Sequence, residues 1–373
     1  MRLTESQLRN LIRKSVRRAL LEAEEAVDPN ATGALDDLSV SSGPSDTVKF
    51  LNGPGADPRV RALIKAGTAD GAPEDEAASI SEGSATIGEL VPTQIEIELT
   101  KSIGYPLAKF ESLVKMISGG VQKIGPPGND MIVRSGNLIV DGHHRWSSLF
   151  SVAGPSGQIS SIDVALPEKD AASVLSIVQT AIAATLDGPV PKAKAGGMNI
   201  LGKGKDEIAG LIRKAYESGE GEAGPILTDE FISNCMANPK VNAHFGLSQI
   251  VGPKKADEEK NESYGRGSLL GEKKSKLGNK YEDRSRIGAA RTKIIDVVAN
   301  NLSQMNQPAD GSPPRVDMPQ LDKAGGGVAG ALEKLQSGDV NYKPPFTAKE
   351  SRARRDDSIV LERWHKLAGL IKG

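Results

Sequence analysis

Four of the 373 residues are histidine, and two of these are adjacent. His143 and His144 follow Asp141-Gly142 and precede Arg145, between the apolar run Leu138–Val140 and a second apolar segment. Gly142 permits a tight turn, because glycine tolerates backbone angles that other residues avoid. A helix beginning at such a turn aims N–H groups and a partial positive charge at whatever occupies it. Arg145 contributes a planar fork suited to phosphate or carboxylate oxygens, while the histidines donate hydrogen bonds and exchange protons near neutral pH. The combination is an anion site. A plainer alternative stands beside it, with Asp141 as an N-cap, the histidines as packing residues and Arg145 as an ion-pair partner. A metal centre fits less well, since adjacent histidines in one turn point in different directions and no third ligand has suitable spacing. Nor is there a strained, Gly-flanked serine for a Ser-His-Asp hydrolase.

The turn needs a strand before it and a helix after it, and the local pattern supplies both. Met131–Arg134 and Leu138–Val140 are short β-prone runs around Ser135-Gly136-Asn137, which reads as a hairpin. A helix is predicted from about His143 to Val152, ended by Gly154-Pro155. Upstream, Ile87–Val91 is an extended start closed by Pro92. Ile95, Ile97 and Leu99 alternate with polar residues at a strand period, with a helical turn as the alternative, and Leu107–Ile117 has helical spacing up to Gly119-Gly120. Ile159–Leu166 reads as a strand and Ala171–Leu186 as a helix. The fold class expected for 86–187 is α+β.

Composition limits how much more can be folded. Hydrophobic residues make up 38% of the chain and aromatics 3%, against 41 glycines and 22 prolines. Such a chain buries little apolar surface over much of its length, so one compact domain of about 100 residues is expected. Residues 1–26 read as an amphipathic basic helix opened by a Thr4/Gln7 capping box. Residues 27–85 read as a flexible linker. From 188 to 347 the pattern is of helical segments (Lys205–Tyr216, Thr228–Met236, Arg286–Met305) on charged and Pro/Gly-rich tethers, with 252–286 solvated. A second basic amphipathic helix is expected at 348–373. The net charge of −1 favours no polyanionic partner, and the single Cys235 excludes an internal disulfide framework. No apolar run approaches the roughly 18 residues of a membrane span.

The stretch from Ile132 to Trp146, Ile-Val-Arg-Ser-Gly-Asn-Leu-Ile-Val-Asp-Gly-His-His-Arg-Trp, resembles the core of the ParB/sulfiredoxin-like superfamily. Its members share a Gly-x-x-Arg turn after a hairpin, preceded by a helix and a glycine. Leu107–Gly120 matches that helix and glycine, and Val91-Pro92-Thr93-Gln94 resembles the proline-containing lead-in. The similarity spans 86–187 and implies nucleotide binding, with ADP, ATP or CTP as ligand and Mg²⁺ as helper. By this resemblance Gly142, His143, His144 and Arg145 hold phosphates. Asp141, with His144, handles a proton, and an upstream acid, Glu96 or Glu98, assists; both glutamates also read as the solvent face of a strand. Sulfiredoxins place a cysteine in the turn where this chain has His143. The DNA-partition branch carries a helix-turn-helix that 190–373 does not show. The free-serine kinase branch matches the Asp-Gly-His-x-Arg form best.

The two ends, Met1–Arg9 and Arg363–Gly369, are similar to the termini of proteins from tailed bacteriophages. Three functions follow as expectations. One is a nucleotide-binding enzyme, kinase-like or a nucleotide hydrolase, working at Asp141–Arg145. The second is a phage virion or assembly protein that keeps the module as a scaffold and contacts other phage structural proteins through its terminal helices. The third is a DNA-associated protein or nuclease whose clustered Arg and Lys neutralise phosphates. The expected setting is the host cytoplasm or the virion, without a membrane.

Overall fold

A hairpin and the helix that follows it carry the predicted turn. The computed structural model describes residues 47, 48, 51, 77–166, 169–194, 197–219, 224–250 and 269–338, the last stretch with side chains from 284. The predicted terminal helices at 1–26 and 348–373, and nearly all of the 27–85 linker, lie outside these residues. Strand β4 (Ile132–Ser135) turns through Gly136-Asn137 into β5 (Leu138–Asp141). The two are antiparallel, with Ser135 opposite Leu138. Gly136 has φ 59° while Asn137 keeps a negative φ, the arrangement of a turn whose twist matches paired strands.

Around the hairpin lies a mixed sheet in the order β1-β6-β4-β5-β2, where β1 is Ser79–Thr86, β2 Val91–Pro92 and β6 Gln158–Ala165. Strand β2 runs parallel to β5, and the short β3 (Val121–Gln122) runs parallel to β6. Helices and sheet together make the chain α+β. Strand β1 begins seven residues before the expected folded unit. Its sequence, Ser-Ile-Ser-Glu-Gly-Ser-Ala-Thr, is exposed over most of its length and so lacks an apolar face to announce it.

Two helices precede the hairpin, α1 (Leu99–Ala108) and α2 (Phe110–Ile117), where one was expected over Leu107–Ile117. The break is at Lys109, whose φ and ψ are extended. There the Leu107 carbonyl accepts from Leu227 N–H at 2.9 Å, so a tertiary partner takes the acceptor that a continuous helix would use. Of the two readings of Ile95–Leu99, the strand is not the one found. Residues 93–98 form bends and an isolated bridge, and the helix begins at Leu99. Ile97 and Leu99 are both buried and Ile95 is 44% exposed; three alternating residues serve a bend entering a helix as well as a strand.

Helix α3 (His143–Ala153) follows the hairpin, and α4 (Ala171–Thr185) follows β6. Beyond 190 come α5 (Lys205–Ser218), α6 (Asp229–Ala237), α7 (Pro239–Phe245), α8 (Leu269–Leu302) and α9 (Gly327–Ser337). Helix α8 starts well inside the stretch expected to be solvated. Its first half is rich in Lys and Glu, which are good helix formers even where they announce no buried face.

The residues divide into two compact units. One holds 82–162 and the described parts of 195–308. Its core joins Leu107, Leu113, Trp146, Leu149 and Phe150 to Ile208, Ile212, Phe231, Ile294 and Val298. Segments that read as helices on tethers thus share a core with the hairpin unit. The other unit holds 163–194 and 309–338 with residues 47, 48, 51 and 77–81. There α4, buried around nearly its whole circumference, packs on α9. Among the described residues no helix is long and apolar enough to cross a membrane.

Candidate functional site

Strand β5 delivers the chain into Gly142, which takes φ 90° and ψ 22° as N-cap of α3. A Cβ here would lie 2.9 Å from both Ile132 Cγ2 and Arg145 Nη1, so glycine is required by space as well as by angle. The first bond of the α3 ladder runs from Trp146 N–H to the Gly142 carbonyl at 3.0 Å. The amides of His143, His144 and Arg145 therefore precede the ladder and face out of the N-terminal end. No acidic residue lies in that first turn.

Helix α3 is held along its length. Trp146 Nε1 donates to the Ile87 carbonyl at 2.8 Å, and its ring meets Phe150 edge-on at 5.5 Å. The Ser147 and Ser102 hydroxyls, 2.7 Å apart, join α3 to α1. At the other end Asn301 Nδ2 donates to the Ser151 carbonyl at 3.1 Å, and His244 Nε2 to the Val152 carbonyl at 2.7 Å. Trp146 is fully buried, so it is a core residue with no face for a base to stack on.

The predicted residues divide in use. His143 is 5% exposed and turned inward, where its Nε2 accepts from the Thr93 amide at 3.0 Å. The Thr93 hydroxyl donates to the Ile139 carbonyl at 2.5 Å. His143 thereby ties the end of β2 to the turn. Arg145 folds back across the turn, and its Nη1 donates to the Met131 carbonyl at 3.2 Å and to Asp141 Oδ2 at 3.1 Å. Its Nη2 donates to Asn129 Oδ1. The Asp141–Arg145 pair is partly exposed, at 27% and 17% of the side chains. His144 is half-buried beside them. Glu96 is half-buried in the bend between β2 and α1, and among the described residues its carboxylate has no hydrogen bond or ion pair with the turn. Glu98 is the N-cap residue of α1 and accepts from Thr100 Oγ1 at 2.7 Å.

Three participants were missed. Thr93 supplies the amide that holds His143. Asn129 belongs to the loop Gly125-Pro126-Pro127-Gly128-Asn129-Asp130, which closes on itself through Asn129 N–H to the Pro126 carbonyl and Ile124 N–H to the Asp130 carbonyl. Gly125 sits inside that loop, where a Cβ would come within 2.4 Å of the Asn129 carbonyl oxygen. Two glycines and two prolines in one run before a strand were the signal available for it. The third is Gln94, 4% exposed, whose Nε2 has no acceptor among the described residues.

Topology explains the convergence. Strands β2 and β5 are parallel, so 93–98 and 141–145 leave the sheet at the same end, where open parallel arrangements place their ligands. Among the described residues no cluster of three His, Cys, Asp or Glu is arranged for a metal ion. No family of known proteins, no curated protein and no solved structure matches this chain.

Proposed function

We propose that this chain is a nucleotide-binding protein of the ParB/sulfiredoxin-like kind, receiving phosphates at the Asp141–Arg145 turn and transferring or hydrolysing a phosphoryl group there. The observation that carries the reading is the junction itself: a strand, a left-handed Gly142, and a helix whose third residue bends its guanidinium back over the turn. Outward-facing first-turn amides and a cationic fork are the two devices by which proteins hold phosphate oxygens. The buried Gln94 amide, one residue from the Thr93–His143 tie, adds a donor that lacks an acceptor among the described residues. An acceptor-only group such as a phosphate suits it.

In this reading Arg145 and the amides of residues 143–145 bind, Asp141 orients Arg145 and takes the proton together with His144, and His143 fixes the turn. Mg²⁺ fits as a partner of the bound phosphates with Asp141 as a single protein carboxylate, because Mg²⁺ commonly keeps several waters. It would neutralise charge on the phosphates.

The test is calorimetry and thermal melting of the full chain with ADP, ATP, CTP and CDP, with and without Mg²⁺. Saturable binding of at least one nucleotide, with stabilisation of about 2.7 kcal/mol at a hundred times its Kd, is expected. Arg145→Lys, which keeps the charge and loses the fork, is expected to weaken binding at least about tenfold. A flat response to all four nucleotides removes the reading.

One observation favours a second function. Arg145 already has three acceptors in the protein and His143 has its own, so the motif is complete as a structural knot. That suits an assembly protein retaining the module as a scaffold. Co-purification with capsid or tail components, together with no nucleotide response, is its signature.

A further inference from the structure

The three acceptors on Arg145 differ in kind. Asp141 is a carboxylate held at the end of β5, and its attraction for the guanidinium survives the arrival of another anion. The Met131 carbonyl is fixed backbone at the entry to β4. Asn129 Oδ1 is a neutral amide oxygen on an exposed loop. An ionised phosphate oxygen adds charge–charge attraction for the guanidinium that a neutral amide oxygen does not offer. The Asn129 contact is therefore the one that a phosphate oxygen displaces first.

We propose that Asn129 is an internal competitor for the phosphate site, holding the 125–130 loop against Arg145 until an anion takes its place and releases the loop. This rests on the phosphate reading of the turn and adds its regulation. The loop is built to move as a piece. It is closed by its own bonds, Ile124 N–H to the Asp130 carbonyl at 2.8 Å and Asn129 N–H to the Pro126 carbonyl at 2.9 Å, neither of which involves Arg145. Gly125 at φ 133° and Gly128 at φ 80° set its shape, and residues 125–128 are all exposed, so none of these four belongs to the core. Gly125 also lies beside the Arg145 side chain, where a Cβ would come 3.4 Å from Nε, so the loop is fitted to the guanidinium as well as bonded to it.

The consequence runs opposite to that of removing a ligand residue. Deleting the Asn129 side chain leaves the guanidinium one acceptor short and raises affinity for an anion. Binding of inorganic pyrophosphate to the full chain is to be measured by calorimetry for wild type, Asn129→Ala and Asn129→Ser, the serine keeping the turn preference. Both variants are expected to bind about three- to tenfold tighter than wild type, the range of one net hydrogen bond. Amide exchange at 124–131 in the wild type is expected to speed up when pyrophosphate is added. Wild-type binding with equal or weaker binding by both variants overturns the competitor role and leaves the phosphate site standing. No binding by any of the three proteins removes both.

Discussion

Gly142 shows how much one residue can fix. Its left-handed backbone and the 2.9 Å approaches its Cβ would make act together, so Gly142→Ala is expected to cost about 2–4 kcal/mol, combining the left-handed penalty with overpacking. A shift in the midpoint of urea unfolding reads that loss directly. Gln179 is the reverse case. It is fully buried in α4, and neither its Nε2 nor its Oε1 has a hydrogen bond among the described residues. Gln179→Leu is expected to leave stability unchanged or raise it by about 1–2 kcal/mol, because an unmet buried amide costs more than an apolar group of like size. Cys235 is also fully enclosed, and burial pushes its thiol up to about 12. The unfolded thiol titrates near 8.5. Its contribution to stability is therefore whole below about pH 8.5 and is lost as pH rises toward 12. At pH 8 the native thiol should resist an aromatic disulfide reagent until the core opens, and rapid labelling would contradict the burial.

Elements were legible where the signal was local. The hairpin and α3 could be read because Gly136-Asn137, Gly142 and Gly154 mark their ends, and the structure puts the boundaries within a residue or two. Strand β1 and the division of α1 from α2 were not legible, since an exposed edge strand has no apolar face and the Lys109 break depends on Leu227, far along the chain. The same holds for the turn's partners: Thr93 and Asn129 act through tertiary contacts that no spacing records. Strand β2 has only Val91 and Pro92 in register with β5, and the imidazole of His143 is its next attachment. His143→Phe fills similar space but strands the Thr93 amide. A cost of about 1–3 kcal/mol is expected, with faster amide exchange at Thr93 as the local mark.

Across the whole molecule, patterning revealed that the later helices are amphipathic but not where their apolar faces dock. The rings of Phe110 and Phe231, 6.3 Å apart and nearly perpendicular, belong to one core, as do Leu149 and Val298. Residues 79–190 by themselves would leave these surfaces open, so that fragment is expected to melt without a cooperative transition while 79–338 melts with one. Calorimetry separates the two, and a sharp transition in the shorter piece would contradict the shared core. The order of segments has a further consequence. The chain leaves one unit at Ile162, is back in it by Gly197 and leaves it again after Pro308. On the ribosome, then, the hairpin and Gly142 turn emerge long before the helices that cover them. The nascent chain must carry exposed apolar strands until synthesis has passed the helix that ends at Leu302, and surface of that kind is what chaperones shield during translation.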